Sequence, residues 1–238
     1  MEEQLETAKD IRKFDISTGL PNSSFSIVLG KRRSGKSVFV GDMIKKLTKK
    51  HKLDCAFLFS GTDADFDMID RPYRFSEIDQ LHTILKRYQA MCDYNKISDP
   101  ANKFRLRSMI VIDDLVLKLK GNDFKILENL ACNGRHSARP PLCLHIVILA
   151  QNLTSIPRIV RNNCDCIFLN NIASRREKEL IFDEQLYMLA SSVQGRKDAR
   201  KLYDDLMAAR DFTFMCILNY RQNARRYSDY LCWYVADL

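Results

Sequence analysis

The chain has 238 residues, enough for one large domain or one domain with a small appendage. Its 46% hydrophobic and 29% charged residues are ordinary for a globular protein, and no stretch approaches the roughly 18 apolar residues of a membrane span. The net charge of +8 draws such a protein toward polyanions, although basic residues on a solvated face are common and charge alone decides nothing. The opening Met1-Glu2-Glu3-Gln4-Leu5-Glu6 is acidic and lacks an apolar core, so neither a secretory signal nor a transit peptide is expected. The eight cysteines, isolated except for Cys164-Asp165-Cys166, fit buried thiols in a reducing compartment better than a zinc site.

Residues 1–24 form a polar lead-in that ends in the turn-prone Leu20-Pro21-Asn22-Ser23. Phe25 to Leu29 is a short apolar run of strand length. Behind it, Gly30-Lys31-Arg32-Arg33-Ser34-Gly35-Lys36-Ser37 completes G-x-x-x-x-G-K-[ST], and Val38 to Leu47 continues at helical spacing. A strand, a glycine-rich loop and a helix in that order aim successive backbone N–H groups at one point, which suits a polyphosphate. Lys36 is expected to reach the β- and γ-phosphates and the Ser37 hydroxyl to ligate Mg²⁺, so ATP with Mg²⁺ is the ligand the motif predicts.

Further apolar runs recur at 54–59, 109–112, 144–149 and 166–169, with helical patterns between them. Ser76 and Asp79 resemble a capping box, and Ile78, Leu81, Ile84, Leu85, Tyr88 and Cys92 share one face of a helix over 76–92. The polar stretch 93–107 reads as a loop. Ser174 with Glu177 opens another helix, and a charged helix is predicted over 196–210. Strand alternating with helix predicts an α/β fold with a mostly parallel sheet and its ligand at the C-terminal strand ends. The expected division is a core over 25–195 and a unit over 196–238, whose runs 212–218 and 227–235 pair at the sheet edge.

Met109-Ile110-Val111-Ile112 leads into Asp113 and Asp114. A carboxylate at the end of a buried strand beside a phosphate loop can hold the Mg²⁺ shell, the role expected of Asp113. Its neighbour Asp114 can orient and deprotonate an attacking water. The run Leu144 to Ala150 ends at Gln151, a neutral amide suited to sensing a γ-phosphate or positioning water. Either aspartate could also serve as a helix cap or turn residue, and Gln151 as an ordinary strand end.

These elements, with Gly134-Arg135-His136 before the Gln151 strand and Pro157 and Arg161-Asn162 after it, closely resemble the genome-packaging ATPases of nucleocytoplasmic large DNA viruses, poxviruses included. Those belong to the FtsK/HerA branch of additional-strand, RecA-like P-loop ATPases. The resemblance covers roughly residues 20 to 190. It departs from many relatives in carrying Asp114 where they have glutamate. It implies a homo-oligomeric ring, a pentamer or hexamer, that pumps double-stranded DNA into a preformed capsid through a capsid or portal partner. The implied location is the assembly site in the host cytoplasm, or the virion. It also implies an arginine from the neighbouring subunit at each site: Arg135 first, Arg161 second and Arg158 third, each of which could equally form a structural salt bridge. His136 is expected to be a structural hydrogen-bonding partner. A different class, a nucleotide or nucleoside kinase, would share the phosphate loop but needs an acceptor site and commonly an arginine-rich lid, as which Arg196 to Arg200 could be misread; paired aspartates with a later Gln151 favour water as the acceptor. A switch GTPase is disfavoured because Asn162-Asn163-Cys164-Asp165 lacks the lysine of a base-reading motif.

Overall fold

In the computed structural model the described residues are 11–61, 66–77, 79–114, 125, 127–129, 131–132, 142–172, 174–186, 193–209, 211–220 and 227–237. Eight strands form one sheet among them: β1 (Ser24–Leu29), β2 (Cys55–Ser60), β3 (Arg74–Phe75), β4 (Leu106–Asp113), β5 (Leu142–Ala150), β6 (Cys166–Leu169), β7 (Thr213–Leu218) and β8 (Leu231–Val235). The order across the sheet is β3-β2-β4-β5-β1-β6-β7-β8. The first six are parallel, and the last two pairings, β6 with β7 and β7 with β8, are antiparallel. The α/β sheet and the C-terminal pair at its edge are therefore as the sequence predicts.

The strands read as unbroken apolar runs because both sheet faces are covered. Ile27, Ile112 and Ile148 lie in one register on one face, and Val28, Val111 and Val147 point to the other. On the second face lies α2 (Lys36–Lys49), which buries Phe39, Val40, Met43, Ile44 and Leu47. Phe14 and Leu20 join it, flanking the one-turn α1 (Ile16–Gly19). The first face carries α3 (Asp79–Ile97), α4 (Arg158–Asn163), α5 (Arg175–Gln185) and α6 (Val193–Ala209), which contribute Leu81, Tyr88, Val160, Phe182 and Tyr203 to its core. Part of the expected polar lead-in is thus core: Ile11, Phe14 and Ile16 are buried, and Lys13 bridges to Trp233 of β8.

Two local expectations fail for identifiable reasons, and one strand goes unpredicted. The loop expected over 93–107 is helical to Ile97, then has a 3₁₀ turn at Pro100–Asn102, and joins β4 at Leu106. Its polarity belongs to a solvent-facing helix side, where Lys96 pairs with Asp93 at 2.7 Å. Asn95 then closes the connection, donating to the Phe104 carbonyl at 3.0 Å and accepting from the Phe104 amide at 2.8 Å. Residues 227–230 form the one-turn α7 (Tyr227–Tyr230) rather than the start of a strand. The two-residue β3 is too short to leave a periodic signal.

Two polar clusters lock the sheet, one beside the C-terminal end of β8 and one at the start of β1. Asp42 of α2, 4% exposed, accepts from Lys46 at 2.9 Å, from the Tyr234 hydroxyl and from the Asp237 amide at 3.2 Å, and so ties β8 to the helix behind the loop. His145, 3% exposed, shares a 2.8 Å hydrogen bond between Nδ1 and the Ser24 hydroxyl. Burial, with a smaller push from Lys52, lowers the His145 pKa to about 4. The unfolded chain takes up this proton near pH 6.5 and the folded chain does not, so the contribution is full above pH 6.5 and drains away as pH falls toward 4. His145→Gln removes that linkage. The stability difference between parent and variant should shift against the parent by about 3 kcal/mol between pH 6.5 and 4, measurable from urea midpoints.

Candidate nucleotide site

The loop after β1 is built from backbone bonds. The Gly30 amide donates to the Ala150 carbonyl at 3.3 Å, the Lys31 amide to Asn171 at 2.9 Å and the Ser34 amide to Lys31 at 3.3 Å. The chain reverses through left-handed residues, Arg33 at φ 61° and Gly35 at φ 88°. At Gly30 a Cβ would stand 2.4 Å from the Ser34 hydroxyl, so a larger residue there would have to turn the Ser34 side chain out of its buried position. Gly35 caps α2 without a side-chain bond, so the first amides of a 14-residue helix stay available to an anion. Among the described residues the buried Ser34 hydroxyl oxygen has no hydrogen-bond partner, and a phosphate oxygen would satisfy it.

Lys36 folds back over the loop, and its ammonium donates to the carbonyls of Gly30 at 2.9 Å and Lys31 at 3.1 Å. Burial lowers its pKa, and the charges of Asp114 and Asp113 partly restore it. Asp113 ends β4 opposite Ser60 at the tip of β2, whose hydroxyl hydrogen-bonds to it. Burial first, and the adjacent Asp114 second, raise the Asp113 pKa to about 6. Asp114 is exposed and left-handed at φ 51°, a conformation that aspartate tolerates better than most residues and that marks sites held for a purpose. The Gln151 amide approaches its carboxylate at 3.4 Å.

Asp113 is thus a charge placed where the fold alone disfavours it. Asp113→Asn should stabilise the nucleotide-free, metal-free protein by about 3 kcal/mol at pH 7. The sign follows from a raised folded pKa: the parent carries the cost above pH 6 and loses it as protonation proceeds toward pH 4. Thermal melts of both proteins at pH 4.5 and pH 7 check this, with the advantage of the variant confined to the higher pH.

Gly30 to Ser37, Asp113, Asp114 and Gln151 therefore converge at the C-terminal ends of β1, β4 and β5. Beside the loop lies a cavity of about 300 Å³, whose lining includes Arg33, Asn171, Asp211 and Phe212. Among the described residues no group of three His, Cys, Asp or Glu side chains could hold a metal. A hard divalent ion here would rest on one carboxylate, one hydroxyl, phosphate oxygens and water, as Mg²⁺ commonly does. The donor set of Ser37 and Asp113 fits that description.

Of the arginines, Arg135 lies outside the described residues, as does His136. Arg161 is committed within its own chain: its guanidinium makes paired bonds to Glu184 at 2.6 and 2.7 Å and a third to the Ile156 carbonyl at 2.8 Å, with the side chain 11% exposed. Arg158 is exposed on α4. The Ser174–Glu177 pair starts α5, but without a capping bond from Ser174. Glu177 accepts instead from the Leu153 amide at 2.7 Å and the Thr154 hydroxyl at 2.8 Å, which pins the turn that follows Gln151. Sequence reading missed Ser60 and Glu177 in these roles, and also Asn170, which lies just past β6 and donates to the Thr213 carbonyl at 2.7 Å. Ser60 and Asn170 each directly follow or end an apolar run, and that position was their available signal. The eight cysteines remain thiols, five of them buried.

A parallel sheet with β5 inserted between the phosphate-loop strand and the Asp113 strand is the arrangement of additional-strand P-loop ATPases. The family model described as Poxvirus A32 protein matches residues 12–210, and the chain belongs to that family. It is similar to an uncharacterized protein, L649, of Acanthamoeba polyphaga mimivirus, at 24% identity over 68% of this chain and 50% of that one. The chain thus spans about half the length of this curated relative. Among solved structures, the genome packaging NTPase B204 of Sulfolobus turreted icosahedral virus 2, in complex with sulfate, superposes with a TM-score of 0.59 at 14% identity, covering 92% of this chain and 99% of B204. The cytoplasmic domain of the type VII secretion ATPase EccC of Thermomonospora curvata gives 0.59 at 15% identity, covering 94% of this chain and 26% of that domain. The conjugation coupling protein TcpA of pCW3 gives 0.56 at 16% identity, covering 90% and 60%. These likenesses establish the shared fold.

Proposed function

We propose that this protein is an ATP-hydrolysing motor that drives double-stranded viral DNA into a preformed capsid. The observation that carries the reading is the meeting of Asp114 and Gln151 at neighbouring strand tips beside the phosphate loop. A carboxylate and a neutral amide facing the same space suit a positioned water, not a bulky acceptor. Membership in the poxvirus A32 family and likeness to a viral packaging NTPase support the substrate side of the proposal.

In this scheme the amides of residues 30–37 and the Lys36 ammonium bind the triphosphate. Ser37 and Asp113 would hold Mg²⁺, which would supply charge neutralisation to the triphosphate. Gln151 orients the water and Asp114 accepts its proton. The subunits form a pentameric or hexameric ring around the DNA, and an arginine of the neighbouring subunit completes each site. Arg135 is the first candidate. Arg161 would have to leave Glu184 to serve, so exposed Arg158 becomes the better second choice. Work would take place at the assembly site in the host cytoplasm, against a capsid or portal partner. No helix of the described residues is long and apolar enough to cross a membrane.

The test is ATP hydrolysis per subunit across a range of protein concentrations, with and without double-stranded DNA. Turnover should rise steeply with concentration and be stimulated by DNA. Phosphoryl transfer to a nucleoside or nucleotide, insensitive to DNA, would replace the motor with a kinase.

A further inference from the structure

The C-terminal strand pair carries no recognised motif, yet the residue just before β7 touches the phosphate loop. A Cβ placed on Gly35 would stand 2.2 Å from Cδ1 and 2.9 Å from Cε1 of Phe212, so the ring occupies the space a side chain at 35 would need. Phe212 is itself left-handed, at φ 55°. For an aromatic residue that conformation is unfavourable and persists only where the surroundings over-determine it. Those surroundings are visible: the ring packs against the core on the α2 side, and the Phe212 carbonyl accepts from the Ala236 amide, just past β8, at 3.2 Å.

A second link runs in parallel. Asn170, buried at the tip of β6, donates from Nδ2 to the Thr213 carbonyl at 2.7 Å and accepts on Oδ1 from the Asn171 amide at 2.5 Å. The Asn171 carbonyl in turn receives the Lys31 amide at 2.9 Å. The start of β7 therefore bears on the loop at both Lys31 and Gly35. A loop that binds through several convergent amides loses affinity when its backbone is free to wander, since ordering must then accompany binding.

We propose that Phe212 is a positioning residue for the phosphate loop, its ring held by the β7–β8 pair so that it backs Gly35 and keeps the loop amides convergent. The inference rests on the reading of Gly30 to Ser37 as the nucleotide site, and it gives the C-terminal strands a part in nucleotide binding. Because the ring also lines the 300 Å³ cavity, direct stacking on a nucleobase is the competing role, and the two respond differently to an aliphatic replacement.

ATP affinity is measured by titration calorimetry on the parent, Phe212→Ala and Phe212→Leu, with the nucleotide-free melting temperature of each. The alanine variant should bind ATP about tenfold more weakly, with KM following Kd and kcat at saturating ATP within about threefold. Leucine restores bulk against Gly35 without a π face, and should return affinity to within about threefold of the parent. Unchanged affinity in Phe212→Ala, whether or not its melting temperature falls, would overturn the positioning role. Leucine as weak as alanine would also overturn it and assign the ring to base stacking. A parent protein that binds no ATP would instead overturn the nucleotide-site reading itself.

Discussion

Lys36→Ala should abolish measurable ATP turnover, a loss of at least about a hundredfold, without lowering the melting temperature of the nucleotide-free protein by more than a few degrees. The two halves of this expectation come from one arrangement. The ammonium is desolvated enough to lower its pKa, so it adds little net stability to the empty protein. Its bonds are to the Gly30 and Lys31 carbonyls, within the loop itself. A triphosphate offers that ammonium a formal negative charge in place of two carbonyl dipoles, and charge-assisted bonds are roughly twice as strong. A steady-state ATP hydrolysis assay on the variant, beside a thermal melt, checks both halves. Hydrolysis within tenfold of the parent would mean that the loop is not where the phosphates bind.

Asp114→Asn should leave ATP affinity within about threefold and lower kcat by a factor of about 10² to 10⁴, the range typical of losing a general base. Asparagine suits the test because it accepts the left-handed φ of 51° as readily as aspartate does, and only the charge and proton affinity change. The contact from Gln151 survives as a neutral hydrogen bond. Single-turnover hydrolysis with a separate binding titration distinguishes the outcomes. A fall in affinity that matches the fall in rate would make Asp114 a binding residue and transfer the base to another group. Asp113→Asn differs in direction, since it should stabilise the empty protein and weaken Mg²⁺-dependent binding.

Much of the site was legible along the chain because its chemistry is local. The phosphate loop needs glycines at fixed positions for backbone reasons, and Gly30 and Gly35 meet that need through close approach and positive φ. Asp113, Asp114 and Gln151 could be placed because each terminates an apolar run, and in a parallel sheet such ends face the ligand. Ser60, Glu177 and Asn170 could not be read in the same way. Each acts through a partner far along the chain: Ser60 on Asp113, Glu177 on Leu153, Asn170 on Thr213. Arg161 shows the converse. It matches a motif position, but a bidentate partner 23 residues away claims its guanidinium.

Apolar periodicity and turn chemistry determined the α/β class, the identity of the phosphate loop and which aspartates end the strand beside it, because those features arise from residues near one another in the chain. Only the tertiary structure decided which strand lies next to which, and with it the insertion of β5 between β1 and β4. The same folding moved Asp113 out of water, turned Asp114 toward Gln151 and set Phe212 against Gly35. Each of those depends on burial and on contacts between distant segments, energies that no local pattern of residue types encodes.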